Sequence, residues 1–216
     1  MTYRGDVAPG GPPDVRELAS LIITKVSVGP MDNNAYFLRC PTTGDELLID
    51  AAAEPERLVA TVGDGRLRSI LTTHCHPDHW GALATVTSNT AARTLAHPSD
   101  APEIGVVTTH PIVDGDVLTV GSVSLQVLHL PGHTPGSIAV LYDDPQGPPH
   151  VWTGDSLFPG GPGATTPETF PVLMESLITK VFDQLPDETW IYPGHGSDTV
   201  LGNERPHLSE WIERGW

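Results

Sequence analysis

Thr73-His74-Cys75-His76-Pro77-Asp78-His79-Trp80-Gly81 places three imidazoles and one carboxylate within six positions, directly after the apolar pair Ile70-Leu71. If residues 67–73 form a strand, His74 and His76 stand two apart and project to one side, within reach of a single ion. Pro77 ends the extended run and suits a first helical turn, so Asp78 and His79 leave in a different direction. Neutral imidazole suits zinc, iron, nickel or copper, and an added carboxylate suits a harder divalent ion, so the set favours zinc or iron over calcium. One loop offering two ligand directions points to two metals. An isolated histidine is ordinarily a surface or satisfied core residue; the spacing separates this loop from that case.

The remaining ligands are sought elsewhere in the chain. Residues 123–130 lead into Pro131-Gly132-His133-Thr134-Pro135-Gly136, Val151-Trp152-Thr153 into Gly154-Asp155-Ser156, and Trp190-Ile191-Tyr192 into Pro193-Gly194-His195-Gly196. In each, a short apolar run ends in a glycine-containing turn that carries one ligand-type residue, and glycine lets the backbone approach a crowded ion closely. Any one alone is weak, because a Gly-Asp turn is ordinarily just a turn. Together, His74, His76, Asp78, His79, His133, Asp155 and His195 supply five histidines and two aspartates. Two four- or five-coordinate ions need about seven such groups if one carboxylate and one hydroxide bridge them. Asp50, after Leu47-Leu48-Ile49, reads equally as a turn residue and as a carboxylate orienting a ligating histidine from behind.

The 216 residues accommodate one domain or two small ones, and 22 glycines with 22 prolines predict many turns. A net charge of −16 argues against a nucleic-acid partner and against anionic lipid, while bound cations would offset part of it. No apolar run has bilayer-spanning length and the first twenty residues lack an apolar signal core, so a cytoplasmic location is expected. The two cysteines, Cys40 and Cys75, make no disulfide framework. Cys40 reads as buried, and alternation points Cys75 away from the ion.

Residues 1–20, with Gly10-Gly11-Pro12-Pro13, read as an N-terminal tail and 21–216 as a single domain. Strands are predicted at 21–28, 35–40, 46–50, 67–73, 94–97, 116–120, 123–130 and 137–142, and helices at 54–62, 80–86, 167–185 and 203–216. Phe170, Leu173, Met174, Leu177, Ile178, Val181 and Phe182 form one core stripe, and Leu208, Trp211 and Ile212 are expected inward. His97, His110, His129, His150 and His207 fall outside the ligand turns and read as ordinary loop or structural residues. Met31, Asn34, Trp80, Phe158 and Phe170 adjoin the ligand loops and read equally as substrate-pocket and packing residues.

The run His74-Cys75-His76-Pro77-Asp78-His79 resembles the His-x-His-x-Asp-His signature of the metallo-β-lactamase fold superfamily, with His133, Asp155 and His195 in the order that superfamily uses. The resemblance extends from about Leu21. It implies an α/β fold, a four-layer αββα sandwich of two mixed sheets with helices outside and metals at one edge between the sheets. It also implies His74, His76 and His133 at one metal, Asp78, His79 and His195 at a second, and Asp155 bridging, with Asp78 and Asp155 catalytic. Asn33-Asn34-Ala35-Tyr36, Pro131-Gly132-His133-Thr134-Pro135-Gly136 and Gly154-Asp155-Ser156-Leu157-Phe158 are similar to the glyoxalase II group.

That similarity implies a hydrolase with two divalent ions, zinc or else iron or manganese, that cleaves a small-molecule thioester of a low-molecular-weight thiol through a metal-bridging hydroxide. Glyoxalase II enzymes usually continue into a helical domain whose basic residues hold glutathione, and a basic residue often follows the glycines after the bridging Asp. Here some twenty residues follow His195 and the run is Gly160-Gly161-Pro162-Gly163-Ala164-Thr165, so the thiol carrier stays open, as does a lactone substrate. The same superfamily includes persulfide dioxygenases with one iron, whose two-His, one-carboxylate set falls here on His79, His133 and Asp155. A third reading makes the metals structural staples, but structural zinc sites usually enlist cysteine. No Gly-x-Ser-x-Gly elbow offers a serine nucleophile.

Overall fold

The computed structural model describes residues 3–63 and 65–215. Seven strands form the first sheet in sequential order: β1 Asp14–Glu17, β2 Ile22–Val28, β3 Asn33–Arg39, β4 Asp45–Ile49, β5 Arg66–Leu71, β6 Arg93–Ala96 and β7 His110–Pro111. Pairing is antiparallel from β1 to β4 and parallel from β4 to β7, where α1 (Pro55–Val62) and α2 (Leu83–Thr90) make crossovers. The second sheet contains β8 Val117–Val120, β9 Val123–His129, β10 Ile138–Tyr142 and β11 His150–Gly154. A small hairpin, β12 Leu157–Phe158 with β13 Gly161–Pro162, and the helix α3 Phe170–Leu177 follow, and the chain re-enters that sheet as β14 Trp190–Pro193 and β15 Thr199–Val200. Strand β14 lies parallel to β11, while the other neighbours are antiparallel. Both sheets are therefore mixed.

Side-chain alternation sorts the apolar residues into three cores. Tyr36, Leu38, Leu47 and Ile49 of the first sheet meet Leu125, Val127, Val140 and Trp152 of the second. The intervening residues Ala35, Phe37 and Leu48 point the other way, onto Leu58 of α1 and Leu83 and Val86 of α2. On the opposite flank Leu128, Ala139 and Val151 pack on Leu173 and Leu177 of α3 and on Trp211. Three cores separate four layers, the αββα sandwich expected. Strands covered on both faces read as unbroken apolar runs, so periodicity alone could not sort them into sheets.

Several expectations need correction. Residues 14–17 are an edge strand, not tail, and Tyr3 packs edge-on against Trp190 and Tyr192 at 6.2 and 6.4 Å between ring centroids. Met1 and Thr2 of the expected tail lie outside the described residues. The helix placed at 80–86 begins at Leu83, because Pro77–His79 forms a 3-10 turn first. The helix expected over 167–185 is α3 followed by a π-helical turn, Ile178–Phe182. The C-terminal helix is divided into α4 (Leu201–Glu204), a 3-10 turn at Arg205–His207 and α5 (Leu208–Arg214). Trp211 is inward, but Ile212, one residue round the helix, is 54% exposed; Trp216 lies outside the described residues. His150 is no loop residue: it belongs to β11 and is fully buried, its Nδ1 2.8 Å from the Tyr192 hydroxyl. His97 does lie in the loop after β6, with its ring buried and stacked on that of His129 at 4.0 Å.

Candidate metal centre

Every predicted ligand follows the C-terminal end of a strand. His74 to His79 follow β5, His133 follows β9, Asp155 follows β11 and His195 follows β14. Parallel pairing puts Asp50, after β4, beside the β5 loop, and Asp155 beside the His195 turn. The two sheets are tied at this edge by Ile138 N donating to Thr73 O at 3.0 Å and Asn34 N donating to Gly194 O at 2.8 Å. Seven groups from separate parts of the chain thus converge on one place.

They form two sets of three around Asp155. His74 Nε2 and His133 Nε2 each lie 3.0 Å from His76 Nδ1. His79 Nε2 lies 3.2 Å from His195 Nε2, and Asp78 Oδ2 is 3.5 Å from the first and 3.4 Å from the second. Asp155 reaches both sets: Oδ2 is 3.9 Å from His74 Nε2, 3.6 Å from His133 Nε2 and 3.5 Å from His195 Nε2, and Oδ1 is 3.5 Å from His79 Nε2. The carboxylate is therefore also in reach of both histidines of the one-iron alternative.

These residues fit divalent ions. A tetrahedral zinc with nitrogens about 2.0–2.1 Å away sets nitrogen–nitrogen edges of about 3.3 Å, close to the separations found. Four rings are aimed from behind by a bond at the other nitrogen. His79 Nδ1 lies 2.9 Å from Asp50 Oδ2, His133 Nδ1 2.7 Å from Ala164 O, His195 Nδ1 2.9 Å from Met31 O and His74 Nδ1 3.1 Å from Thr73 Oγ1. Such partners fix the tautomer of a metal-ligating histidine. Asp50 also accepts from the amide and hydroxyl of Thr73 at 2.8 Å each, so of its two sequence readings the orienting one describes its contacts. Asp155 Oδ1 is buried without a hydrogen-bond donor, an acceptor left for a cation.

Glycine keeps the space open. A Cβ on Gly194 would lie 2.2 Å from Asp155 Oδ1 and 2.7 Å from His79 Cε1, and one on Gly163 would collide with Asp155 O at 1.8 Å.

The charge balance points the same way. Burial opposes charge on His79, yet Asp50 and Asp155 overcome it and push the ring up to about 10. Burial likewise opposes charge on His195, and Asp155 raises it. Burial works against Asp155 as an anion, but His195 and His79 hold its carboxyl far below the usual range. Burial depresses His74 and His133, which stay neutral and able to ligate. The carboxylates draw positive charge onto two rings, a charge that divalent ions supply without protons.

Cys75 takes no part: its thiol faces Glu103 at 3.7 Å, and burial, with Asp100, pushes it up to about 12. Sequence reasoning missed Asp100. Its buried carboxylate accepts from Cys75 N at 2.9 Å, Thr134 Oγ1 at 2.6 Å and Gly136 N at 2.6 Å, tying the His74–His79 loop to the His133 loop. A lone Asp before Ala-Pro carries no local signal of that role. Asn33 opens β3, and its amide donates to Asp78 Oδ2 at 2.9 Å.

A cavity of about 470 Å³ opens beside His76 and His133, walled by Pro131, Pro135, Ala164, Thr166 and Val172 among others. None of the five residues offered as pocket or packing candidates lines it. Asn34 is buried and donates to Pro193 O and Gly196 O, both at 2.9 Å. Trp80 donates to Cys75 O at 2.8 Å, Phe170 packs in the α3 core, Phe158 lies 6.4 Å from the His195 ring, and Met31 is exposed.

The metallo-beta-lactamase superfamily model matches residues 28–195. A hydroxyacylglutathione hydrolase of Rhodopseudomonas palustris (strain BisB5) is 34% identical over 165 residues, 76% of this chain and 62% of that protein, so the chain spans under two thirds of its length. Among solved structures, TTHA1623 in a di-iron-bound form is 34% identical with a TM-score of 0.69, covering 84% of this chain and 96% of that one. ETHE1 from Myxococcus xanthus is 28% identical with a TM-score of 0.71, covering 86% and 82%.

Proposed function

Because the chain belongs to the metallo-beta-lactamase superfamily, we propose that it is a dinuclear metal-dependent hydrolase acting on a small thioester. One observation carries the reading: two three-residue ligand sets share an edge at Asp155, whose carboxylate is within 4 Å of both. His74, His76 and His133 would hold one ion, Asp78, His79 and His195 the other, with Asp155 between them. The hydroxyacylglutathione hydrolase supports the thioester, and the di-iron form of TTHA1623 supports two ions. Zinc, iron and manganese all suit a mixed His and Asp set.

Two divalent ions supply Lewis acidity, polarising a carbonyl and bringing the pKa of a water towards neutrality. The chain's residues do the rest. Asp50, Ala164 O and Met31 O hold the rings in place, so no reorganisation is needed at the moment of reaction. Asp78, fixed by Asn33 and only partly buried, takes up the proton released when water adds to the carbonyl carbon and returns it to the departing sulfur. Water and thioester become acid and thiol.

Metal analysis of protein purified without chelator tests this reading. Two ions per chain, falling to one in Asp78→Ala, together with thioester hydrolysis lost in that variant, is the expected result. A single iron unaffected by the substitution would overturn it and favour the one-iron reading on His79, His133 and Asp155.

A further inference from the structure

The cavity beside His76 and His133 carries no cation. All eleven lysines and arginines of the chain lie among the described residues, and none lines it. Several are engaged elsewhere. Lys25 is buried against Asp198, Lys180 and Arg205 pair with Asp114 and Asp187, and Arg16 lies over the Trp190 ring. Arg214 reaches Gly161 of the β12–β13 hairpin and not the cavity.

The walls are Pro131, Pro135, Ala164 and Val172, interrupted by the uncharged hydroxyls of threonines. A carboxylate placed here would meet no cationic side chain in the wall and lose part of its hydration, whereas an alkyl chain gains by burial. The net charge of −16 adds long-range repulsion of anions. The volume suits a small ligand, and only the His74, His76 and His133 set contributes to its wall; Asp78, His79 and His195 do not. A substrate whose carbonyl reached the metal edge would have this cavity open to its arm, from His133 towards Thr166 and Val172.

Resting on the thioesterase reading above, we propose that this centre takes neutral thioesters whose arm is apolar, and discriminates against thiol carriers that bear carboxylates. Discrimination is the new content: the arm's charge, not its length, decides.

Two measurements separate this inference from the reading beneath it. In the first, the metal-loaded protein is titrated calorimetrically with two unreactive thioethers, S-hexyl-N-acetylcysteamine and S-hexylglutathione. The neutral probe is expected to bind at least about tenfold tighter, the equivalent of one modest unpaired-charge penalty. In the second, hexanoyl-N-acetylcysteamine and hexanoyl-glutathione, identical in acyl group, are compared by kcat/KM, with the same preference expected. Val172→Arg, at a position 43% exposed on the cavity wall, should shift the kcat/KM ratio towards the glutathione ester by about fivefold or more. Equal or stronger handling of the glutathione compounds in either comparison overturns the inference, as does an unchanged ratio in Val172→Arg. Preferential binding of the neutral thioether with neither thioester hydrolysed upholds the pocket's selectivity and overturns the thioesterase reading instead.

Discussion

Lys25 Nζ lies 2.7 Å from the carbonyl oxygen of Gly196, the residue after His195. The same ammonium, fully buried, donates to Gly5 O and to Asp198 Oδ1, also at 2.7 Å. With Asn34 holding Pro193 O and Gly196 O, a buried ion pair on β2 fixes the turn that presents His195.

Removing one member of a buried pair strands the other, at a cost of about 3–5 kcal/mol. Lys25→Met is therefore expected to lower the unfolding free energy by that order in urea titration. Lys25→Met combined with Asp198→Asn should recover part of the loss, because no charge is left unpaired. If the double variant is as unstable as the sum of the two single ones, the pair is not coupled.

Asp50 sits behind His79 at a positive φ of 58°, a backbone conformation that Asn adopts more readily than most residues. Asp50→Asn is accordingly the clean substitution. It should weaken metal binding by about 10–100-fold while the fold persists, and the ion held with His79 should leave first in a chelator titration.

Gly194→Ala adds a methyl group 2.2 Å from Asp155 Oδ1. Neither Asp155 nor His79 can retreat without leaving the ligand cluster, so a displacement costing about 1–3 kcal/mol is expected. Metal content should fall below two per chain while circular dichroism stays native. Full metal occupancy in this variant would show that the turn yields instead.

His150 provides a pH signature away from the metals. Its burial lowers the ring to about 4, against about 6.5 in an unfolded chain. Between those values the unfolded state binds the extra proton, so this contribution is complete above pH ~6.5 and is lost as pH falls towards ~4, in all about 3 kcal/mol. His150→Phe should flatten the stability profile in that window. A profile with the same slope would assign the acid sensitivity to other groups.

The seven residues that converge around Asp155 were legible because each is a His or Asp in a short turn after an apolar run, a pattern local in sequence. The sheets were not. Residues 35–38 alternate between two apolar cores, so Tyr36 and Leu38 look no different from Ala35 and Phe37 until both neighbours are known. β1 escaped because an edge strand exposes polar side chains, and only Val15 marks it. Asp100 and Lys25 are just as opaque: each bonds to residues that are distant in sequence or whose partners reveal nothing locally. Ile212 was assigned inward by its apolar character, but Trp211 occupies the inward position of α5.

The ligands span the chain from His74 to His195, and the last of them is seated by the main-chain bond from Asn34 to Gly194. During synthesis, a nascent chain that has delivered the His74–His79 loop holds only part of the set. If Asp78, His79 and His195 hold an ion, as proposed, that set is complete only after β14 has entered the second sheet beside β11. Loading of that second ion would then come late in synthesis and would report that β14 has taken its place in the sheet.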